Sequence, residues 1–523
     1  MSTRNHLRRD VPRSLGQSVA GQSRRALRCY VASAVLVLVT GCAAGPDFHR
    51  PTAPRINQYT AESLPAQTSA ADTAGGEAQR FVRDLDIPGQ WWTLFHSEPL
   101  NALIEKSLKA NPNLQATQAA LRGAMENVYA QQGAYYPAIQ ASFSPSRQRN
   151  AVGTVSPTLT SGASLFNLYT AQVSVSYVAD AFGGNRRQVE SVQALAESQR
   201  FQLEATYLTL TSNVVAAAVL EAALRGQIAA TQEVVKIETE QLELLRRNFE
   251  LGALAMADVK AQEATLAQTE ATLPPLQKQL AQQRNLLTAL AGRFPSEELA
   301  ERFELSALQL PQELPVSLPS KLVEQRPDVR AAEAQLHSAS AEVGVAIANM
   351  LPQVTLSAAY GGTATQIGQL FQTGNVFWSV AGSVTQTIFQ GGTLLHRKRA
   401  AEAALDQAVA QYHSAVITAF QNVADALRAL QYDADALKAS LRAERAAAES
   451  LDIARRQMEL GSISYLTQLT AEQSYQQALI NLVQARANRY ADTAALFQAL
   501  GGGWWNRADA VSAQTPARSM EKK

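Results

Sequence analysis

The chain has 523 residues and 56.3 kDa, room for about three domains of ordinary size. Its 46 basic and 45 acidic side chains leave a net charge of +1, which excludes a nucleic-acid binder of the basic-patch type. Apolar residues make up 46% and aromatics only 7%, a mix that suits long helices better than an aromatic-packed enzyme core, and two cysteines cannot build a disulfide scaffold.

Seven arginines between Arg4 and Arg28 precede an apolar run from Cys29 to Val39, and Val39-Thr40-Gly41-Cys42 closes it. At 11 residues the run is too short for the roughly 20 that a membrane helix needs. A basic segment, a short apolar core and small residues before a cleavage point make a secretory signal, here residues 1–41. Cys42 directly after Thr-Gly resembles a bacterial lipobox, in which it becomes the acylated mature N-terminus; an ordinary signal with a coincidental Cys is the alternative. Cleavage removes seven arginines and Asp10, which turns the net charge from +1 to −5. Residues 42–99 follow as a lipid-anchored N-terminal segment, and 52–80, rich in Ala, Thr, Ser and Gly, read as an extended tether.

From there the chain repeats itself. A shift of 215 superposes 111–137 on 326–352 without a gap, pairing Pro112 with Pro327, Leu121 with Leu336 and Pro137 with Pro352. A shift of 209 superposes Arg246-Arg247 on Arg455-Arg456, Glu250-Leu251-Gly252 on Glu459-Leu460-Gly461, Glu263 on Glu472 and Gly292 on Gly501. Repeat 1 is expected over 100–295, a connector rich in proline over 296–319, repeat 2 over 320–502 and a disordered tail over 503–523.

Within each repeat the hydrophobic period changes. A helix over 111–135 ends at Pro137, because proline cannot continue the hydrogen-bond ladder. Alternation with a period of two then predicts strands at about 138–146 and 168–180, and in the second repeat at about 353–360 and 376–388. Each has a largely apolar face and a face rich in Ser, Thr or Gln. Gly183-Gly184 and Gly391-Gly392 end the strands, and helical spacing without proline runs from Asn185 to Gly252 and from Thr393 to Gly461. At 1.5 Å per residue each such helix is about 100 Å long. Gly252 and Gly461 permit the left-handed turn that ends a helix, and a return helix leads to Gly292 or Gly501. Pro274-Pro275 reads as an interruption that kinks the first return helix.

Four strands with one apolar and one polar face suit a transmembrane β-barrel, which must close because lipid leaves no backbone group unpaired. Four strands cannot close; two chains would give eight strands and a filled interior, so a conduit calls for three or more chains, 12 strands in a trimer. Tyr135, Tyr136, Tyr169, Tyr177, Phe182, Tyr360, Phe377 and Trp378 sit where aromatic girdles would lie. A soluble half-buried sheet is the alternative. No catalytic constellation competes: His6, His49, His96, His337, His396 and His413 are scattered, and no metalloprotease helix, phosphate loop or nucleophile elbow occurs. No enzyme activity, cofactor, metal site or nucleic-acid partner is expected.

Several further motifs carry a resemblance. They are Gly41-Cys42-Ala-Ala-Gly45-Pro46-Asp47-Phe48 with Pro51, Trp91-Trp92 with Phe95, Asn111-Pro112 and Leu273-Pro274-Pro275-Leu276. Leu318-Pro319-Ser320, Arg326-Pro327-Asp328-Val329-Arg330, Phe389-Gln390-Gly391-Gly392 and Leu500-Gly501-Gly502-Gly503-Trp504 complete the set. The ordered set, from 41 to 504, resembles the TolC-like outer-membrane efflux factors, most of all the NodT-type efflux lipoproteins. The resemblance implies a mainly α chain with a transmembrane β-barrel. It implies a homotrimer, a 12-stranded barrel in outer-membrane lipid and a long periplasmic α-helical barrel. It further implies a periplasmic adaptor and an inner-membrane efflux pump as partners, and a lipid-anchored outer-membrane location. Helix-turn-helix ends form the periplasmic tips in that family and match the loops at Gly252 and Gly461, with Asp258 at an acidic tip position. Leu466 matches an apolar position at the aperture, while Thr467 and Thr470 stand where the family often has Asp. Asp258 also reads as an N-cap of the returning helix. A type I protein secretion channel is the alternative use of such a pore, and a periplasmic adaptor lipoprotein is the rival fold, though an adaptor needs only one hairpin and this chain has two. The cargo is not legible.

Overall fold

In the computed structural model the described residues are 43–149 and 165–507; Cys42, the expected signal segment 1–41 and the tail beyond 507 lie outside them. In chain order the elements are β1 (Arg80–Arg83), α1 (Glu98–Ala110), α2 (Pro112–Gln132), β2 (Ala138–Arg149), β3 (Leu165–Ala179), α3 (Gly184–Glu250) and α4 (Met256–Leu290). They continue with β4 (Glu313–Val316), α5 (Pro319–Gln325), α6 (Pro327–Ala348), β5 (Gln353–Ala364), β6 (Val376–Thr385), α7 (Thr393–Glu459) and α8 (Tyr465–Ala499). The chain forms two compact units, one of residues up to 48 with 127–193 and 337–405, the other of 49–126, 194–336 and 406 onward.

The first unit holds an antiparallel four-stranded sheet in the order β2-β3-β5-β6. Its register pairs Ile139 with Val175, Val175 with Ala358 and Ala358 with Val380; the next row pairs Ala141, Val173, Tyr360 and Trp378. Alternation then puts Phe143, Leu356 and Val384 on the same face and Ser142, Gln172, Ser174, Ser357, Ser379 and Ser383 on the other. The apolar face is uncovered in the single chain, with Ile139 71%, Trp378 75% and Val380 76% exposed. Where β3 gives way to α3, the Asp180 carboxylate accepts the amides of Asn185 and Arg186 at 2.9 and 3.1 Å, so an acid satisfies free donors at the helix start.

Residues 43–48 are strapped across the same unit. Ala44 donates its amide to the Phe182 carbonyl at 2.9 Å, Arg187 bonds Asp47 at 2.5 Å and Glu190 at 2.7 Å, and Phe48 stacks on His337 at 4.2 Å. Gly45, at φ +91°, crosses Gly344 so closely that a Cβ on Gly45 would lie 2.4 Å from the Gly344 Cα.

In the second unit the doubling is one of equal lengths: α3 and α7 have 67 residues each in all, α4 and α8 have 35 each. Pro274 and Pro275 lie inside a continuous α4 and do not break it, contrary to the expected interruption. By length and composition α3 could span a membrane, with a mean hydropathy of 1.5 over 18 residues, yet 67% of that window is buried inside the protein. Val214, Val215, Ala218 and Ala223 are core residues.

The stretch read as a tether is extended but docked. β1 pairs in parallel with β4, and Gln79, fully buried, donates to the Pro311 carbonyl at 3.0 Å and to Thr493 Oγ1 at 3.1 Å. Arg489, also fully buried, donates back to Gln79 Oε1 and to the Glu77 carbonyl, both at 2.9 Å. The expected tail likewise begins in ordered structure: Trp504 is buried and donates its indole N–H to the Gln325 carbonyl at 2.7 Å.

Candidate functional site

Four of the eight motif stretches contribute to a lock that occurs once per repeat and holds the base of each hairpin. Asn111, between α1 and α2, donates through Nδ2 to the Leu290 carbonyl at 3.0 Å and caps α2 by accepting the Asn113 amide at 3.0 Å. Its counterpart Arg326 donates to the Ala499 carbonyl at 3.0 Å and is braced by Asp328 at 2.6 Å. Gly292 and Gly501, at φ +71° and +96°, pass so close to the Ala110 and Gln325 carbonyls that a Cβ would sit 2.4 and 2.5 Å from those oxygens. Only glycine meets both demands. Trp91, stacked on Phe497 at 5.4 Å, and Trp504, edge-on to Phe201 at 5.7 Å, fill the space alongside. These residues tie the hairpin bases together, and on the second-repeat side Arg326, Asp328 and Ala499 also border a cavity of about 510 Å³ with Asn422, Asp425 and Asp492.

The hairpin tips are a second matched pair. After α3, Gly252 adopts φ +75°, and the amides of Gly252 and Ala253 bond back to the carbonyls of Phe249 and Asn248, both at 2.9 Å. Gly461, at φ +68°, closes the α7 to α8 turn by the same two bonds, from Gly461 to Met458 and Ser462 to Gln457 at 2.9 Å. Both are glycine-terminated helix ends of the Schellman kind. Leu251 and Leu460, just before the glycines, are each 82% exposed. Sequence reasoning passed over them, although the doubled Glu-Leu-Gly contains them.

On the return side, the cap of α4 is Ala255 and the cap of α8 is its counterpart Ser464, whose hydroxyl accepts the Thr467 amide at 3.4 Å. Asp258 is therefore not an N-cap; it lies in the first turn, half-buried, where a negative charge favours the helix dipole. Leu466 is 66% exposed while its neighbours Tyr465 and Leu469 are buried with Leu242, Leu245 and Val259. Thr467 and Thr470 are exposed, but the Thr467 hydroxyl is within 3.0 Å of Ser464 Oγ and Thr470 donates to the Leu466 carbonyl at 2.9 Å.

Above this apolar tip lies a buried polar layer that periodicity did not reveal. Glu238 of α3 and Glu472 of α8 are almost wholly enclosed. Thr269 donates to Glu238 at 3.0 Å; Gln241 and Arg455 donate to Glu472 at 3.2 and 3.5 Å; Tyr465 donates to Gln262. Burial pushes the Glu238 carboxyl up to about 7, with the Glu472 and Glu270 charges adding to the effect against the Thr269 bond. Burial also raises Glu472, opposed by Arg455 and Gln241. A carboxyl raised in the folded state holds its proton longer there, so its penalty grows as pH climbs from the ordinary range near 4.5 to about 7 and is complete above that. Amide exchange at 465–470, corrected for intrinsic rates, should therefore accelerate about tenfold between pH 5 and 8, and Glu238→Gln should flatten the profile. An equal profile in wild type and variant would remove Glu238 as the cause.

The family model described as outer membrane efflux protein matches residues 103–293 and 318–502. The chain belongs to the outer membrane efflux protein family. It is 30% identical over 478 residues to the toluene efflux pump outer membrane protein TtgC of Pseudomonas putida, covering 91% of this chain and 96% of that one. It is 29% identical over 486 residues to the outer membrane protein OprJ of Pseudomonas aeruginosa, covering 90% and 95%. Among solved structures, the outer-membrane channel OprN superposes with a TM-score of 0.78 at 27% identity over 88% of this chain and 100% of that one. The fold is accordingly that of the outer membrane efflux protein channels, mainly α with two repeats, and the protein is an outer-membrane protein. In that location an exposed apolar sheet face has lipid for its solvent.

Proposed function

We propose that this chain is the outer-membrane channel of a tripartite efflux system, a passive conduit and not an enzyme, working as a homotrimer with a periplasmic adaptor and an inner-membrane pump. The sheet carries the reading. Its apolar face is continuous over all four strands, and β2 and β6 each have one strand neighbour among the described residues. Unpaired edges are not tolerated in lipid, so β6 of one copy pairs with β2 of the next until 12 strands close. The polar face then lines a wet lumen. The exposed tip residues Leu251 and Leu460, with Gly252, Gly461 and Asp258, supply the adaptor contact, and Leu466, with Thr467 and Thr470 beside it, closes the aperture at rest. TtgC is named for toluene efflux; a wide Ser/Thr/Gln lumen discriminates weakly, so in this reading cargo choice belongs to the pump.

Crosslinking in native membranes tests the assembly: a ladder ending at three chains and a heat-modifiable band are expected, and a dominant monomer or dimer would overturn the pore. Acylation at Cys42 is a separate, second anchor. Cys42→Ser should lose metabolic palmitate labelling while the protein stays in the outer-membrane fraction. Release of the unacylated protein into the soluble periplasm would refute the barrel.

A further inference from the structure

The charges of the sheet are distributed in an uneven way. Residues 138–179 and 353–385, which include all four strands and the segments joining β2 to β3 and β5 to β6, contain two charged side chains, Arg147 and Arg149, and no acid. Both belong to β2, are exposed, and pair with Asn167 and Leu165 of β3. By alternation they share the face of Ile139, Ala141 and Phe143, the lipid side, and not the Ser/Gln side.

Their height on that face follows from the register. The apolar rows begin at Ala179, Val354 and Val384 beside the helix junctions and end at Pro145, Tyr169 and Ala364. Ten residues of β3 separate those rows; at about 3.3 Å per residue and a tilt of about 40°, they span about 25 Å, the height of an outer-membrane apolar band. Phe143 and Tyr169, stacked at 6.5 Å, mark its outer rim. Arg147 and Arg149 are the next two positions beyond it, at the end of β2 away from the helices. An arginine there is not explained by an ion pair, since the residues joining β2 to β3 carry no acid. Nor does solubility explain why both arginines face outward from the pore.

We infer that Arg147 and Arg149 form a docking site for the phosphate groups of an anionic outer-leaflet glycolipid of the lipid A type. The guanidinium fork matches phosphate geometry, and its alkyl stem lies on the apolar rim while the charged head reaches the headgroup level. Three copies would set six such arginines around the barrel. This inference rests on the barrel reading proposed above, since it needs the face to meet lipid.

The test uses the full-length protein purified in detergent, with oligomer melting followed on heat-modified gels during titration with bisphosphorylated lipid A, dephosphorylated lipid A or inorganic phosphate. Bisphosphorylated lipid A should raise the melting temperature and the other two should not. With about a fivefold loss for each arginine removed, Arg147→Ser combined with Arg149→Ser should weaken the apparent affinity about 25-fold, and salt should weaken the wild type alone. Equal protection of wild type by phosphorylated and dephosphorylated lipid overturns the proposal without reference to any variant. Equal affinity of wild type and double variant, or protection by inorganic phosphate, overturns it too. A wild-type protein that shows no heat-modifiable oligomer in any condition refutes the barrel reading itself, a result distinct from any of these.

Discussion

In planar bilayers, Leu466→Ser should conduct several times more than wild type, on the order of threefold or above, with its trimer intact. The side chains of Tyr465, Gln468, Leu469 and Glu472 are buried on one side of α8, which leaves Leu466, Thr467 and Thr470 on the other. The counterpart of Leu466 in the first repeat is Ala257, too short to narrow an opening, so in the proposed reading a ring at this level would fall to the second-repeat leucines. A narrow apolar ring expels water and blocks ions without using charge. Because Thr467 and Thr470 spend their hydroxyls on their own helix, the polar neighbours offer an ion little in exchange. Asp258→Asn should leave open conductance near wild type and reduce cation preference at low salt, an effect that screening removes at high salt. Wild-type conductance in Leu466→Ser would locate the constriction elsewhere.

Val380→Arg should abolish the heat-modifiable trimer, whereas Ser379→Arg, one residue away, should keep it. Val380 lies mid-strand on the apolar face opposite Ala358, and an arginine at the bilayer midplane costs about 2–4 kcal/mol in each chain. Three chains incur that cost at once. Ser379 pairs with Ala359 on the polar face, where an added cation meets water and should shift the pore toward anions. Trimer yield on gels and reversal potential in a salt gradient read the two variants, and equal tolerance of both would mean that the faces have been assigned the wrong way round.

The strands were legible because lipid and lumen impose opposite chemistry on successive residues, a pattern that needs no partner to be seen. Their ends were less so: β3 begins at Leu165 and β5 runs to Ala364, past the positions where alternation is strong, and β6 stops at Thr385, before the expected 388. Gly252 and Gly461 revealed the tips because a left-handed turn leaves its own residue in the sequence. Asp258 misled as a cap because an acid near a helix start marks the first turn and the cap position equally well. The docking of residues 52–83 could not be read, since β1 finds its partner β4 more than 200 residues away, through backbone bonds that side-chain patterns do not record. The buried carboxylates show the same limit. Glu263 and Glu472 are counterparts in sequence, and each meets its own arginine, Arg246 and Arg455. Yet Glu263 is solvated with Lys260 as a second partner, whereas Glu472 is enclosed beside Glu238. A helical period says which face a residue occupies but not which neighbour covers it.

The matched glycine locks at Gly292 and Gly501, together with hairpin legs of equal length, make the hairpins a gauge with fixed graduations. Lengthening one leg alone would push its turn out of level with the other turn and break the lock at its base. Only additions made in all four legs together, in steps of about seven residues or two helical turns, would keep every buried face in register. Each such step is about 10.5 Å, so the depth this protein can reach from the outer membrane changes in discrete increments, and a homologue adapted to a wider periplasm should differ by whole steps duplicated in both halves of its chain.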